Sequence, residues 1–254
     1  MTLLRDTQVI FKRQMTRSLR NPAWMVIGVT QPLLYLAFFG PLLRNLVHWP
    51  GYPASANSWQ IFVPGLLVQL GLFGASFVGF SLIGDVRGGV VERMRVTAVS
   101  RAALLLGRVG RDVVSLVMQS VALILAALAF GLRAPLGGVL IGVLFVVCLT
   151  VSLASLSYTL GLRVKHEESF APLLNMIIMP LVLLAGIILP MSGAPRWLDI
   201  VSRFTPFRYI VDAVRDAFLG QYGAPEFIQG VAVAVGLAVV SVVVGTLTFI
   251  KENA

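Results

Sequence analysis

The chain has 254 residues, 57% of them hydrophobic and only 12% charged, with a mean hydropathy of +0.89. A water-soluble domain carries about one quarter charged residues, so a soluble globule is excluded and a polytopic membrane protein is indicated. The net charge of +9 is no nucleic-acid signature, because its placement along the chain follows membrane topology. The apolar runs are long and continuous, unlike the short alternating strands of a membrane β-barrel, which leaves the all-α class.

The first element, Leu3–Arg20, has helical periodicity. Leu4, Phe11, Met15 and Leu19 gather on one side, with Val9 out of place, and Arg5, Lys12, Arg13, Arg17 and Arg20 lie opposite. A basic amphipathic helix before a membrane span lies in the interface plane; the plainer alternative is a frayed tail. Asn21-Pro22 ends it, and no cleavable signal peptide is expected.

Six runs of the length needed to span a bilayer follow, at 23–43, 61–84, 113–132, 136–162, 170–190 and 227–250. Pro32, Pro172 and Pro180 free backbone carbonyls, so kinks or broken segments are expected there. With the N-terminus inside, the inner segments hold Arg5, Lys12, Arg13, Arg17, Arg20, Arg87, Arg93, Arg95, Arg101, Arg108, Arg111, Arg163, Lys165 and Lys251. The outer segments hold only Arg44, Arg133, Arg196, Arg203, Arg208 and Arg215, so both termini are expected in the cytoplasm. Arginine outnumbers lysine 17 to 3, a bias pointing to a GC-rich bacterial genome.

The longest polar interval between strongly apolar runs is 85–101, DVRGGVVERMRVTAVSR. Gly88-Gly89 opens it, and VVERMRV reads as a helix of about two turns. Val90 or Val91 and Met94 make a small apolar face ringed by Glu92, Arg93 and Arg95, and Ser100 is placed to cap the next helix. Such a loop is either a solvated turn or a surface against which something docks.

The outer segments differ in character. Residues 44–60, rich in Pro, Trp and Tyr, suit an interfacial anchor, and 133–135 make a tight turn. In 191–226, Pro195 opens a short helix, WLDIVSRF. Thr205 then reads as an N-cap with Pro206 at the first helical position, and Gly220 as the stop. Phe207, Ile210, Val211, Val214 and Phe218 form one face, with Arg208, Asp212, Arg215 and Asp216 expected mainly on the other and Arg208–Asp212 as an i,i+4 pair. Neither piece is apolar enough to span. Both fit short re-entrant helices or a cap on the outer face.

Catalytic constellations are missing from the sequence. His48 and His166 fall on opposite sides of the membrane, and there is no GxSxG, HExxH or phosphate-cradling GxxxxGK[ST] motif. The lone Cys148 sits within an apolar run, precludes a disulfide framework and reads as a small buried hydrophobe. Carboxylates (Asp85, Asp112, Glu167, Glu168, Asp199, Asp212, Asp216, Glu226) fall in loops or at span ends. An enzyme is not expected, nor an ion-coupled transporter, which places ionisable groups at the midplane. The mid-span polar residues are neutral: Gln31, Gln69, Gln119 and Asn175, with Thr30, Ser76, Ser120, Thr150, Ser152, Ser155 and Ser157. They read either as helix–helix hydrogen bonding or, for Gln31, Gln69 and Asn175, as parts of a weakly polar pathway. A pathway of that kind takes lipophilic or amphiphilic cargo and draws its energy from another subunit.

With these pieces in register the chain resembles the type-two ABC exporter permeases, especially their daunorubicin-resistance-like branch, over nearly its whole length. Leu3–Arg20 is similar to the family's interfacial connecting helix. RGGVVERMRVTAVSRAALLLGRVGRD (87–112) resembles the cytoplasmic loop with its E-R, S-R and G-R steps, and LPMSGAPRWLDIVSRFTPFRYIVDAVR (189–215) resembles the extracellular segment with its W-L, P-F and D-x-x-R elements. Ala98 departs from the pattern, where relatives often carry proline. The resemblance implies one transmembrane domain of six helices, with an interfacial helix (3–20), a cytoplasmic coupling loop (85–101) and an extracellular helical cap (191–226).

It further implies that Arg87, Gly88, Gly89, Glu92, Arg93, Met94 and Arg95 form a coupling helix seated in a separate ATPase. Arg13, Arg17 and Arg20 would add contacts to the ATPase or to anionic lipid, with a weaker candidate contact at His166-Glu167-Glu168. The expected assembly is two permease chains, identical or homologous, and two ATPase subunits that carry the ATP and Mg, in a bacterial inner membrane. This chain would itself bind no cofactor, metal or nucleic acid. The expected function is export of a drug-like or lipid-like amphiphile; a lipid-linked glycan permease and a non-transporting membrane sensor or channel are the alternatives.

Overall fold

The computed structural model describes residues 3–21, 23–43, 57–89, 101–164 and 167–252. All of the regular structure among them is helical: α1 (Leu3–Arg20), α2 (Ala23–Leu43), α3 (Ser58–Ser76), α4 (Gly79–Arg87), α5 (Arg101–Ala129), α6 (Leu136–Arg163), α7 (Glu167–Leu184), α8 (Arg196–Ser202), α9 (Pro206–Leu219) and α10 (Pro225–Glu252), with one 3₁₀ turn at Met191–Gly193. Four stretches are long and apolar enough to cross a membrane: Ser58–Arg87, Ala102–Ala129, Leu136–Arg163 and Pro225–Thr248. Val26–Leu42 and Glu168–Leu184 are shorter apolar helices.

The central element is α3. It is apolar on every side, and a helix of that kind must be enclosed; every residue from Phe62 to Leu72 is buried. It packs against α2, α5, α6, α7 and α9. Its start is fixed by a capping box, in which the Asn57 side chain accepts from the Trp59 amide and Gln60 Oε1 accepts from the Asn57 amide at 2.8 Å. Trp59 is not the interfacial anchor expected of the 44–60 segment. It is 3% exposed, packed beside Phe130 with ring centroids 5.9 Å apart, and a Cβ added at Gly40 of α2 would overlap its ring. The glycine on α2 and the turn after α5 leave the indole a slot that no membrane surface has to supply.

The run expected at 61–84 is two helices in one line, interrupted at Phe77-Val78. Ser157 of α6 bridges the break: its hydroxyl donates to the Ser76 carbonyl and accepts from the Gly79 amide at 2.9 Å. Most other buried hydroxyls do not join helices as expected. Ser120, Thr150, Ser152 and Ser155 each donate to the carbonyl four residues back in their own helix, the nearest acceptor that a short side chain on a helix reaches.

Helices α2 and α7 run continuously through Pro32 and through Pro172 and Pro180. The run expected at 170–190 is instead broken beyond its prolines, at Ala185-Gly186, where Gly186 takes φ +69. Only glycine adopts that conformation cheaply. Gly65 of α3 accommodates the turned chain, since a Cβ there would lie 2.0 Å from the Ile187 carbonyl oxygen.

The apolar run at 113–132 belongs to a helix that begins three turns earlier, at Arg101, directly after Ser100 where the sequence placed a helix start. Along this extension α1 is laid by a stripe beside its apolar arc, whose Leu4 and Leu19 remain outward. Its buried residues are Asp6, Ile10 and Gln14, whereas Leu4 is 82% exposed and Leu19 57%. The cause lies on α5: Ile10 sits against Gly107 and Phe11 against Gly110. The two glycines leave room for the α1 backbone, so packing selects that stripe over the more apolar arc beside it.

Candidate functional site

Two ionic constellations occupy opposite ends of the bundle. The first lies where α1, α4, α5 and α6 meet. Asp85, in the last turn of α4, is 5% exposed, so it is part of the packed bundle instead of the polar loop. Arg17 Nη1 of α1 donates to Oδ1 at 2.9 Å, and Arg108 Nη2 of α5 donates to Oδ2 at 2.7 Å. Arg108, 3% exposed, lies over the Tyr158 ring of α6 at 5.9 Å from its centroid. The Tyr158 hydroxyl donates to Asp112 Oδ2 at 2.6 Å, and Arg111 Nη2 pairs with Asp112 Oδ1 at 3.0 Å. Burying single ions is costly, by several kcal/mol each even after relaxation. Here both carboxylates use both oxygens, which offsets that cost.

Of the residues expected to couple to a partner, Arg87 ends α4. The Gly88 amide donates to the Gly84 carbonyl at 2.9 Å, and Gly89 takes φ +66. Glu92, Arg93, Met94 and Arg95 lie outside the described residues, as do His48, Lys165 and His166. Arg13 and Arg20 are exposed on α1, while Arg17 alone of the three reaches inward. The Asp85–Arg108–Tyr158–Asp112 chain was not anticipated. Its signal was the charge set Arg108, Arg111 and Asp112, placed in a run that keeps helical periodicity from Arg101 onward.

The second constellation ties α8 to α9. Asp199 pairs with Arg203 at 2.7 Å and with Arg208 Nη2 at 2.6 Å, and Arg208 also donates to the Asp199 carbonyl at 2.9 Å and to the Ser202 hydroxyl. The expected Arg208–Asp212 pair is present but longer, at 3.7 Å. The hydrogen bond from Arg208 holds the Asp199 carboxyl below its usual range against a smaller opposing effect of burial, and Arg203 adds to the lowering. Burial raises Asp212, with Arg215 and Arg208 opposing it. Burial also pushes Asp216 up to about 7, helped by the negative charges of Asp212 and Glu226.

Arg215 corrects the expectation that the charges of α9 share its outer side. It is completely buried, within the same face as Val211, Val214 and Phe218. Its Nε donates to the Ile61 carbonyl at 3.0 Å, and Nη2 donates to the carbonyls of Gly186 at 2.6 Å and Ile187 at 3.2 Å. The break after α7 leaves the Gly186 and Ile187 carbonyls without helical partners, and a planar guanidinium is shaped to collect several carbonyls at once. Capping of α9 is otherwise close to expectation: Thr205 precedes Pro206 and Gly220 ends the helix at φ +77, although the Thr205 hydroxyl donates to the Ser202 carbonyl and makes no cap bond.

Of the three pathway candidates, Gln31 on α2 and Asn175 on α7 are exposed. Gln69 is 4% exposed within α3, with its Oε1 unbonded. Gln31 and Asn175 stand among exposed apolar side chains: Val26, Leu34 and Phe38 on α2, and Met176, Met179 and Leu183 on α7.

Long apolar helices around an enclosed central one, with ionic clusters at the ends, define a multi-pass helical membrane protein. The family model for the ABC-2 type transporter matches residues 5–219, and the chain belongs to that family. It is 24% identical over 214 residues to the "Putative transport permease ycf38" of Cyanophora paradoxa, covering 84% of this chain and 73% of that one. It is 24% identical over 222 residues to the "Daunorubicin resistance ABC transporter permease protein DrrB1" of Streptomyces coeruleorubidus, covering 86% and 77%. With the "Probable doxorubicin resistance ABC transporter permease protein DrrC" of Mycobacterium tuberculosis it shares 20% identity over 210 residues, covering 82% and 75%. The resemblance read from the sequence motifs is thus correct: this is a type-two ABC permease, whose family implies an ATPase partner.

Proposed function

We propose that the chain is the permease subunit of an ATP-driven exporter that moves a lipophilic or amphiphilic compound out across the bacterial inner membrane. Two permease chains and two ATPase subunits form the working unit. Six spans cross the bilayer, namely α2, the α3–α4 pair, α5, α6, α7 and α10. Both termini, α1 and the Asp85 cluster lie on the cytoplasmic side, and α8 and α9 cap the outer side.

The observation that carries this reading is the pair of exposed faces on α2 and α7. Apolar side chains are exposed on α5, α6 and α10 as well, but α2 and α7 add the exposed mid-helix amides of Gln31 and Asn175. Phe38 is 68% exposed, and Met176 is 81% exposed beside the neutral amide of Asn175. Such faces suit a path between protomers that accepts apolar cargo with few fixed charges, and methionine adapts to irregular shapes. The named resistance of two relatives supports a drug-like amphiphile as cargo. The outward apolar arc of α1, with Leu4 and Leu19 exposed beside its arginines, supports an interfacial position against anionic lipid.

In this reading energy enters through 87–95, whose sequence alternates the apolar Val91 and Met94 with Glu92, Arg93 and Arg95 as contacts for the ATPase. Co-purification of the chain with the products of its own operon, followed by measurement of ATP hydrolysis and of ATP-dependent doxorubicin uptake into inverted vesicles, tests the assignment. A nucleotide-hydrolysing partner with cargo movement is expected, and recovery of this chain alone, inert toward ATP, would refute it. Glu92→Arg is expected to abolish assembly or transport with membrane insertion unchanged; retained transport would remove the coupling role from this segment.

A further inference from the structure

The Asp85 cluster has a position that stability alone does not require. Replacing buried ion pairs with apolar side chains is often neutral or stabilising, so a chain that links two such pairs, Arg108–Asp85 and Arg111–Asp112, through Tyr158 suggests a mechanical task. Asp85 and Arg108 sit on either side of the connection between α4 and α5, 23 residues apart in sequence, yet bonded at 2.7 Å. Arg17 brings α1 to the same carboxylate. Tyr158, completely buried, is held on one side by the Arg108 guanidinium over its ring and on the other by Asp112.

We propose that Asp85 is a positioning residue for ATP-driven transport. It locks the two legs of the α4–α5 connection and α1 into one body, and through Arg108 and Tyr158 it passes their displacement to α6. This inference rests on the exporter reading above, in which the ATPase acts on the segment between those legs. The chemistry suits the task. The bonds at Asp85 and from Tyr158 to Asp112 are short and charge-assisted, with geometry that tolerates little play, and the Arg108 guanidinium adds a looser contact over the Tyr158 ring. An apolar contact at the same place would slide. The cluster joins α6 near its inner end, and α6 runs as one unbroken helix from Arg163 to Leu136 at the other end of the bundle. A rotation imposed at Tyr158 therefore reappears at the outer rim.

The test uses the complex of permease and ATPase, with Cys148→Ala as background and a spin label at Leu136→Cys, the first residue of α6 and 82% exposed. Distances between the two protomers' labels are compared without nucleotide and after trapping with ATP and vanadate. In the background complex the distance is expected to change. In Asp85→Asn the complex is expected to hydrolyse ATP while the distance change is lost, and Asp85→Glu, which keeps both pairs, restores it. A purely structural residue would lower the yield of complex and its hydrolysis in parallel, leaving the distance change of the surviving complex intact.

Should Asp85→Asn fail to assemble, Tyr158→Phe decides: it leaves both Asp85 pairs in place, cuts only the bond to Asp112, and is expected to weaken the distance change. Undiminished change in Asp85→Asn, or in Tyr158→Phe where that variant decides, overturns the inference while the exporter reading stands. A background complex whose labels do not respond to nucleotide also overturns the inference alone, whereas recovery of the chain without an ATPase overturns both.

Discussion

Arg215→Met removes the guanidinium that joins α9 to α3 and to the turn after α7, while keeping most of the side chain's apolar volume. Three carbonyl bonds go with it, at 3.0, 2.6 and 3.2 Å. Hydrogen bonds to a charged group contribute about 1.5–3 kcal/mol each, so the gross loss is roughly 5–9 kcal/mol. Against this stands release of the cost of burying a guanidinium whose one ionic contact among the described residues, Asp212, is 3.5 Å away. That release is several kcal/mol, which leaves a net destabilisation of about 2–4 kcal/mol.

For chains of this size each kcal/mol lowers Tm by about 2–4 °C, so a fall of roughly 5–15 °C is expected. Size-exclusion survival of the detergent-solubilised chain after heating measures it. Arg215→Lys keeps the charge, but a single ammonium cannot span carbonyls on two elements, and it should fall between wild type and methionine. Arg203→Ala, whose side chain is 64% exposed, is the control and should move stability by less than about 1 kcal/mol. An Arg215→Met variant that survives heating like that control would refute the claim that the turn after α7 depends on this side chain.

Ser157→Ala leaves the Ser76 carbonyl and the Gly79 amide at the α3–α4 break without their side-chain partner; a loss of about 1–3 kcal/mol is expected in the same heating assay. Gly65→Ala places a methyl 2.0 Å from the Ile187 carbonyl oxygen. Backbone must move to admit it, so a drop of at least the about 1–3 kcal/mol typical of overpacking should appear, with Gly223→Ala, which meets nothing within 4 Å, as its neutral counterpart. Asp216 has a folded-state pKa raised to about 7, so the folded state binds its proton more tightly than the unfolded one. Stability should therefore fall as pH rises from about 4 to 7. Asp216→Asn should flatten that slope, and an unchanged pH profile would show that the carboxyl is better solvated than its geometry indicates.

Much of the molecule was legible because its signals are local. The apolar runs, the amphipathic start, the Thr205-Pro206 entry and Gly220 exit of α9, and the three motifs that marked the family all depend on residues within a turn or two of one another. The errors share one cause, which is contact between segments distant in sequence. Trp59 looked like a membrane anchor until Gly40 and Phe130 provided a slot for it. Arg215 followed the charged side of α9 by spacing, but the unpaired carbonyls of Gly186 and Ile187, 29 and 28 residues away, drew it inside. Asp85 read as the first residue of a polar loop because its partners, Arg17 and Arg108, stand 68 and 23 residues off.

The sequence by itself determined that this is a helical membrane protein of the type-two ABC permease kind. Hydropathy, charge bias and helix punctuation are sums over neighbours and require no knowledge of packing. Only the tertiary structure decided which stripe of α1 is buried, where the long runs break, and which charges are tied together. Those outcomes depend on small residues that let backbones approach and on carbonyls freed by breaks elsewhere in the chain. An arginine or aspartate in an apolar setting goes wherever a partner exists, and that partner is chosen by the fold.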